Sequence, residues 1–506
     1  MNIDKMYITR LSIIVLLFLL VFTRCSKKKS ELTWEINFPV IGSQSSIRAT
    51  DLNQDGIQDL VIGAGKNDFQ YAKQGVLALN GADGELLWQH ETHDQVFGSA
   101  TFYDVNSDGI KDVFIGGRSA NLKALNGKDG SLLWKYEYVY ESDSILKHAR
   151  FNFYNSVMVP DQNKDGFDDL LIVNGGNVKA PFNSEKDRFP GVLMLFDSKN
   201  GNILAADTMP DGKETYMSPI AFQQPGHDEV VIIFGSGGET FSGHLYRTTL
   251  TDFMTMGLSK AIILAGEEGH GFIAPPVAAD INNDGFYDIV AISHASTTFA
   301  IDGISNKVVW SKKIGGTESS NSFAVGQFTD DDIPDFFTFI SKGEWPDNRG
   351  SIQIVFNGKD GTVEFMDSIG CTGFSSPVVY DFNKDGTDDA IISINEYDCS
   401  RGFGERISET IQNKLISIDF KRRDVNIIDE THKFKNIFTT PWIGDLDDDG
   451  YIDIVYAQYF SESTYLTAFL GMRVRRISTS IHTRKPVTWG AYMGSNGDGV
   501  YSINAQ

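Results

Sequence analysis

Basic residues are in short supply in this 506-residue chain, where 44 Lys and Arg face 67 Asp and Glu for a formal charge of −23. Phosphate binding needs a basic stripe, so we exclude nucleic acid as a partner. Proline is scarce, with 14 residues, and long helical periodicity is nearly absent after residue 30. Forty-nine Gly, 35 Phe and 18 Tyr are typical of short strands joined by tight turns. The composition predicts an all-β protein.

Signatures of catalysis are also missing. The nine His form neither an HxxxH nor an HExxH pattern, and the chain contains no G-x-S-x-G motif. His90 and His93 stand in a His-x-x-His pattern, which is more often solvated than metal-binding. Trp88, Trp134 and Trp310 recur at one position of the repeat described below, which favours core packing over cofactor docking. We therefore expect a protein that is not an enzyme.

The N-terminus has the pattern of an export signal. Lys5 and Arg10 precede a twelve-residue apolar run, Leu11 to Phe22, which is too short to span a bilayer comfortably. Cys25 follows at once, so residues 1–24 resemble a bacterial lipoprotein signal in which that cysteine is lipidated.

This resemblance implies a short tether over residues 25–30 and a lipid anchor in the envelope of a Gram-negative-type bacterium. The periplasmic side and the outer surface are both open as locations. Phe22, Thr23 and Arg24 depart from the small residues such signals place before the cysteine, so an uncleaved anchor and plain secretion also stay open.

Only Cys371 and Cys399 are left for a disulfide. An exported protein meets an oxidising compartment, in which such a pair can form a bond. Cys371 lies ten residues before Asp381, and Cys399 lies ten residues after Asp389. If residues 381–389 form the tip of a hairpin, the two thiols face each other. Two buried free thiols are the alternative.

Internal repeats dominate the rest of the chain. The nonapeptide D-x-[ND]-x-D-G-x-x-D occurs six times, and each copy is followed by a short apolar strand. The copies begin at Asp51, Asp104, Asp161, Asp280, Asp381 and Asp445. Two degenerate copies lie near Gln223 and Gln327, and a small residue or Pro stands five residues before each of the eight loop starts. A strand, Asn/Gly turn and strand, as in ALNGKDGSLLW, comes some 20–30 residues later.

A unit of about 50–60 residues with four short strands is typical of a propeller blade, which needs neighbours to bury its faces. We predict an eight-bladed β-propeller of four-stranded antiparallel blades over residues 31–506, with seven blades as the alternative. The segment Glu31–Phe38 resembles an outer strand but precedes the first loop, so it could complete the last blade and close the ring.

The six complete loops carry carboxylate or amide oxygens at positions 1, 3, 5 and 9, with Gly at position 6. Ca²⁺ prefers six to eight oxygen ligands, and a tight Asp/Asn loop that turns at Gly supplies them. An EF-hand is excluded because position 12 is apolar. The alternative is a solvated turn without metal. The predicted ligands to about six structural Ca²⁺ ions are Asp51, Asn53, Asp55, Asp59, Asp104, Asn106, Asp108, Asp112, Asp161, Asn163, Asp165, Asp169, Asp280, Asn282, Asp284, Asp288, Asp381, Asn383, Asp385, Asp389, Asp445, Asp447, Asp449 and Asp453.

These repeats resemble the FG-GAP repeats of integrin α-type and VCBS-like calcium-binding propellers, with Phe97-Gly98-Ser99-Ala100 close to the motif that names them. The outer segments such as LNGKDGSLLW, and the C-terminal WGAYMGSNGDGVY, also resemble quinoprotein-type propellers. The first resemblance implies Ca²⁺ in the six complete loops. The second implies a quinoprotein-like, PQQ-type dehydrogenase as an alternative, although the vicinal cysteine pair typical of that class is absent.

Binding is expected on the face opposite the calcium-type loops, where the second turn of each blade varies most in length. Aromatic and Arg side chains in these turns suit a protein or glycan partner. The candidates are Phe182, Arg188, Phe189, Trp345, Arg349, Tyr397, Arg401 and Phe403. The alternative is that these side chains only pin each loop to its blade. The sequence therefore predicts a non-catalytic binding, adhesion or scaffold protein of the envelope, with a quinoprotein-like dehydrogenase or a polysaccharide lyase as alternatives.

Overall fold

Eight antiparallel sheets make up the computed structural model, which describes residues 30–181, 183–344, 347–371, 373–401, 410–461 and 468–502. Each sheet has four strands in simple up-and-down order, and three sheets carry an extra short strand on the inner side. The prediction of an eight-bladed β-propeller is thereby confirmed. The proposed signal at residues 1–24 and Cys25 lie outside the described residues.

The strands follow the chain blade by blade. The first three blades contain β2 (Arg48–Thr50), β3 (Asp59–Gly63), β4 (Ala72–Leu79) and β5 (Leu86–Thr92); β6 (Thr101–Tyr103), β7 (Asp112–Gly116), β8 (Leu122–Leu125) and β9 (Leu132–Lys135); and β10 (Asn152–Phe153), β11 (Val157–Val159), β12 (Asp169–Gly175), β13 (Val192–Phe196) and β14 (Ile203–Thr208). The next three contain β15 (Ile220–Gln223), β16 (Val230–Gly235), β17 (Gly243–Thr249) and β18 (Ile262–Glu267); β19 (Val277–Ala279), β20 (Asp288–Ile292), β21 (Thr297–Ile301) and β22 (Val308–Lys313); and β23 (Thr317–Glu318), β24 (Ala324–Gly326), β25 (Asp335–Lys342), β26 (Ser351–Phe356) and β27 (Val363–Asp367).

The last two blades contain β28 (Val378–Tyr380), β29 (Asp389–Glu396), β30 (Gln412–Asp419) and β31 (Asp424–His432); and β32 (Phe434–Lys435), β33 (Trp442–Gly444), β34 (Tyr451–Phe460) and β35 (Gly471–His482), with β1 (Glu31–Pro39) as the outer strand of blade 8. β1 pairs antiparallel with β35, so the N-terminal strand closes the ring as predicted. Closure pairs an edge of β35 that would otherwise be exposed.

Short 3₁₀ helices lie at Leu146–His148 and Cys399–Arg401. An α-helix, α1 (Leu250–Met256), interrupts the third turn of blade 4, and no pattern in the sequence predicted it. Its first turn is capped by the Thr249 hydroxyl, which accepts a hydrogen bond from the Asp252 N–H, and Gly257 ends it at a φ of 61°.

A belt of side-chain hydrogen bonds links neighbouring blades near the axis. It is built from the small residues that stand five positions before the loops. The N–H of Ser322 donates to the Ser376 hydroxyl, Ser376 N–H to Thr440, Thr440 N–H to Ser46, and Ser46 N–H to Ser99, at 3.0–3.1 Å. The contact between Thr440 and Ser46 spans the point where the ring closes. The small residue that precedes each of these loops in the sequence is therefore a contact between neighbouring blades.

Outer-strand tryptophans join the blades at the rim. The indole N–H of Trp88 donates to the carbonyl of Gly127 in the next blade at 2.7 Å, and its ring packs on Gly130. Trp134 and Trp310 make the same contact with the blades that follow them, and Trp34 of β1 makes it with blade 1. A side chain at Gly130 would collide with the ring, so the second Gly of the turn Asn126-Gly127-Lys128-Asp129-Gly130 is required. The expected packing role of these tryptophans is confirmed.

Candidate functional site

The chain after β35 crosses the propeller axis instead of leaving the disc. This C-terminal segment (residues 483–502) bonds to the inner strands of three blades. The Val379 N–H donates to the Trp489 carbonyl, Ile443 N–H donates to Gly490, and Ala278 N–H donates to Gly499, at 2.7–2.9 Å. Trp489 and Tyr501 are buried among the apolar side chains of blades 5, 6 and 7. The sequence of this segment resembles quinoprotein-type propellers, but that resemblance did not predict that the segment lies at the propeller axis.

Beside the C-terminal segment lies a cavity of about 530 Å³, bounded by the inner strands of blades 1, 2, 3 and 8. Its polar lining residues are Arg48, Gln58, Thr101, Lys111, Ser156, Asp445, Thr483, Ser495, Asn496 and Asp498. Gln58, Lys111 and Asp445 belong to calcium-type loops, so the cavity reaches the face that carries those loops. This is the side of the disc opposite the one on which binding was expected.

Arg48 is the dominant charge of the cavity. It comes from β2, is 6% exposed, and donates from Nη1 to the carbonyl of Gly494 at 3.2 Å. The backbone of Gly497 lies against Nη2, where a Cβ would come within 2.7 Å. Its Nε is buried and has no hydrogen-bond partner among the described residues. Burial lowers the pKa of Arg48 to about 10, opposed by Tyr492 and Asp498, so the guanidinium still carries its charge at neutral pH.

Two carboxyl groups share the cavity with Arg48. Burial raises the pKa of Asp445, although the N–H groups of Gly450 and Asp449 oppose this shift. Burial also raises the pKa of Asp498, against the N–H of Val500 and the charge of Arg48. The cavity therefore offers one buried cation, the exposed amine of Lys111 at its edge and two acids that bind protons more readily than usual.

The predicted calcium loops have a common geometry, which the first loop illustrates. Asp51 accepts from the N–H groups of Gln54 and Gly56 at 2.6 and 3.1 Å, and Asp55 accepts from that of Ile57 at 2.8 Å. Gly56 has a φ of 86°, which explains why position 6 is Gly. These contacts form the tight turn, with Asn53 and Asp55 exposed and Asp51 half-buried beside it. Calcium binding stays a prediction.

Position 9 of the loops has a second role that sequence reasoning did not predict. Asp59 is fully buried and accepts from the N–H of Leu52 at 2.9 Å and from that of Gly81 at 3.1 Å. Asp112 and Asp288 make the equivalent pair of bonds. The carboxylate thus ties the calcium-type loop to the third turn of its own blade. Burial raises the pKa of Asp59 to about 6, against its two N–H donors.

The eighth loop differs because a buried cation contacts it, whereas Arg422, which approaches Asp385 of the seventh-blade loop at 3.4 Å, is exposed. Oxygens of Asp445, Asp447 and Asp453 lie within 4.8 Å of one another. Arg476 of β35, 2% exposed, donates from Nε to Asp453 at 3.1 Å, from Nη2 to Asp447 at 2.5 Å, and from Nη1 to the carbonyl of Gly81. Its guanidinium therefore contacts Asp447 and Asp453, two of the four residues of this loop that the motif predicts as Ca²⁺ ligands.

Part of the predicted binding face holds its loops in place. The Arg188 guanidinium contacts both oxygens of Glu214 at 2.9 and 3.1 Å and the Tyr216 hydroxyl at 2.7 Å. Phe189 stacks on Phe151 with ring centres 5.6 Å apart. For these two residues the pinning interpretation fits the contacts better than a free binding surface.

The other candidates on that face have different positions. Arg349 is exposed on the second turn of blade 6, and Tyr397 is half-buried in that of blade 7. The backbone of Arg401 lies in a 3₁₀ helix. The candidates Phe182, Trp345 and Phe403 lie outside the described residues. The side chains of Cys371 and Cys399 form a disulfide with Cα atoms 5.5 Å apart, at the base of the β28–β29 hairpin.

Comparison with known proteins yields a family model, described as outer membrane protein assembly factor BamB, that matches residues 45–215, a third of the chain. Among solved structures, BamB from Moraxella catarrhalis is 11% identical, with 88% of this chain and 99% of that chain covered and a TM-score of 0.50. Quinohemoprotein alcohol dehydrogenase ADHIIG from Pseudomonas putida HK5 is 10% identical, covering 91% and 78%, with a TM-score of 0.57. A europium-containing methanol dehydrogenase is 9% identical, covering 88% and 93%, with a TM-score of 0.57. No curated protein sequence matches the chain.

These matches overturn the resemblance to FG-GAP, VCBS-like and integrin α-type repeats: the fold is that of a PQQ-repeat propeller. The structural reason is that the turn of the Asp/Gly loop is held by hydrogen bonds within its own nine residues, so unrelated chains can share it. The tryptophan contact instead joins two neighbouring blades. The matches do not support the expectation that the protein binds calcium or that it is a lipoprotein. In the described part of the chain, no helix is long and apolar enough to cross a membrane.

Proposed function

We propose that this chain is an exported binding protein that takes a small, carboxylate-bearing molecule into its axial cavity. The observation that carries this proposal is Arg48, a buried guanidinium that lines the cavity and whose Nε has no hydrogen-bond partner in the described part of the chain. A buried charge with unsatisfied donors is costly unless a partner supplies acceptors. A carboxylate supplies two oxygens in the plane of the guanidinium, and such charge-assisted bonds are among the strongest in proteins.

Other groups in the cavity suit the uncharged part of such a ligand. Asn496 and Gln58 offer amide donors and acceptors, and Trp442 offers an apolar surface. Lys111 is exposed at the edge and adds a second cation that can attract an anion. We also propose, from the sequence, that the mature protein is held in the envelope through Cys25.

A quinone cofactor of the PQQ type is the second candidate, favoured by the fold of the two dehydrogenases and by the axial position of the cavity. This cofactor is a planar molecule with three carboxylates. Arg48 fits one of them and Lys111 could meet another, but Asp445 and Asp498 place two acids in the same space. The residues present therefore fit such a quinone incompletely, and we derive no catalytic step from it.

Calorimetry with the exported chain distinguishes the candidates. Pyrroloquinoline quinone, glucuronate and uncharged glucose are titrated separately into the wild type, Arg48→Gln and Lys111→Gln, with Arg349→Gln on the far face as the matched control. We expect a carboxylate to bind the wild type and the control. Affinity falls about 10- to 100-fold in Arg48→Gln, as for loss of a charged hydrogen bond. Lys111 is exposed, so its variant folds normally and shows a smaller loss.

Binding of the quinone with a visible chromophore and alcohol-dependent dye reduction would favour the dehydrogenase. If no carboxylate binds, or if Arg48→Gln binds as well as the wild type, the cavity proposal is wrong.

The likeness to BamB favours a protein partner in addition to a small ligand. We place it at the second turns, where Arg349 is exposed. A photo-crosslinker at position 349 should capture one defined protein, whereas a crosslinker at Lys128 on the loop face should not. Equal capture at both positions would contradict this assignment.

A further inference from the structure

The face opposite the calcium-type loops carries a cluster of His and Glu side chains that lies apart from the axial cavity. His270 follows β18, His294 lies in the turn between β20 and β21, and Glu318 ends β23. Blades 4, 5 and 6 thus each contribute to one place. The residues follow one another at intervals of 24 positions, so no local motif marks them.

His294 is the centre of this cluster. It is 4% exposed, and its Nδ1 lies 3.0 Å from the carbonyl oxygen of Ser319. Because a carbonyl only accepts, Nδ1 carries a hydrogen, and in the neutral ring Nε2 then presents its lone pair. This Nε2 is buried and has no hydrogen-bond partner among the described residues. It lies 3.6 Å from Oε1 of Glu318, which is itself 7% exposed.

His270 is oriented in the same way. Its Nδ1 lies 2.6 Å from the carbonyl oxygen of Glu239, so its Nε2 is also a lone-pair donor. The two imidazole rings have centres 5.8 Å apart. A main-chain carbonyl on Nδ1 is the arrangement that orients metal-binding histidines. Behind Glu318, Asn348 is 1% exposed, and its Nδ2 lies 3.4 Å from Oε2 of Glu318.

We propose that His294, His270 and Glu318 bind a borderline divalent cation such as Zn²⁺. Two tetrahedral ligands at 2.0–2.1 Å from such an ion are about 3.4 Å apart, close to the separation of His294 and Glu318. Two imidazoles that share an ion through Nε2 have ring centres about 5–6 Å apart, which matches the histidine pair. The three ligand atoms do not all lie within 4.8 Å of one another, so the site requires His270 to move toward His294 and Glu318 when the ion binds. A water molecule or a partner's side chain completes the coordination.

The donor set separates this site from the calcium-type loops. Imidazole nitrogen with one carboxylate suits Zn²⁺ or Co²⁺, whereas loops of carboxylate and amide oxygens suit Ca²⁺. Saturating Ca²⁺ therefore fills the loops and leaves this cluster for the second metal.

Co²⁺ titration of the chelator-treated chain in excess Ca²⁺ tests the proposal, because a tetrahedral site with nitrogen ligands gives an intense visible absorption that an all-oxygen site does not. We expect one Co²⁺ per chain, displaced by one Zn²⁺. His294→Gln abolishes the absorption, and Glu318→Gln lowers affinity about 100-fold. His270 is half-exposed, so His270→Gln keeps the fold and should weaken binding at least tenfold. His432→Gln, at an exposed position on β31, is the control and leaves binding unchanged.

Metal content by mass spectrometry provides an independent readout, with circular dichroism to show that each variant is folded. The proposal is overturned if the folded wild type binds no Co²⁺ or Zn²⁺, or if His270→Gln and His294→Gln bind as the wild type does. It is also overturned if His432→Gln loses the absorption, since binding would then be at the rim.

Discussion

The first and eighth calcium-type loops share one motif, but different groups stabilise the negative charge of their carboxylates. In the first loop, the carboxylates of Asp51 and Asp55 accept hydrogen bonds from N–H groups of the turn and from the amide of Asn53, and no Lys or Arg among the described residues pairs with them. In the eighth loop, the buried guanidinium of Arg476 contacts Asp447 and Asp453. A sequence motif thus identifies a place that needs positive charge, but not whether a metal or a side chain supplies it. For this reason we now expect five Ca²⁺ ions, in all complete loops but the eighth.

Removal of Ca²⁺ should have the largest effect. An ion held at a hundredfold excess over its Kd adds about 2.7 kcal/mol to the free energy of unfolding, and five loops contribute together. We expect a marked fall in the melting temperature of residues 26–506 on addition of chelator, with about five ions by mass spectrometry. Unchanged melting and no bound metal would mean that the loops are plain turns.

The second test removes the internal cation. Arg476→Gln leaves Asp447 and Asp453 without their partner, and breaking a buried ion pair costs about 3–5 kcal/mol. Urea denaturation in chelator should show this loss, and added Ca²⁺ should restore part of it by entering the eighth loop. Arg473→Gln on the same strand, whose guanidinium is more exposed, should cost less than about 1 kcal/mol. If Ca²⁺ restores Arg473→Gln as much as Arg476→Gln, the guanidinium is not a substitute for the ion.

A third test compares one ligand position in the two loops. Asp55→Ala should remove one bound Ca²⁺ and lower stability in Ca²⁺ by about 2–3 kcal/mol, the contribution of that ion. Asp449→Ala, the matched change in the eighth loop, should leave the number of bound ions unchanged. Calcium titration followed by calorimetry measures both. Equal loss of an ion in the two variants would show that the loops do not differ.

The smallest expected effect is that of pH. Burial raises the pKa of Asp335, in the degenerate loop, to about 7, although its Thr329 and Gly358 donors oppose the shift. The folded chain holds this proton between about pH 4 and 7 while the unfolded chain loses it, so this group's contribution to stability falls as the pH rises through that window. Asp335→Asn should flatten that slope in urea titrations between pH 4.5 and 7.5, with or without Ca²⁺. An unchanged slope would show that Asp335 ionises normally.

The architecture was predictable because its determinants are local and repeated. Eight loop starts, a small residue before each loop and one outer strand displaced to the N-terminus were enough to predict eight blades and their closure. The repeat also explains the error in family. The Asp/Gly loops dominate the sequence pattern, whereas the recurring tryptophans reveal their partner in the next blade only in the structure.

What the sequence determined by itself was the periodic part: strand alternation, turn chemistry and the stacking of units that cannot bury their faces alone. The tertiary structure decided what fills the space those units enclose. Arg48 meets Gly494 across 446 positions, Arg476 reaches back 29 positions into the eighth loop, and His294 meets Glu318 between blades. Such contacts depend on where closure of the ring brings distant residues, and no spacing along the chain encodes them.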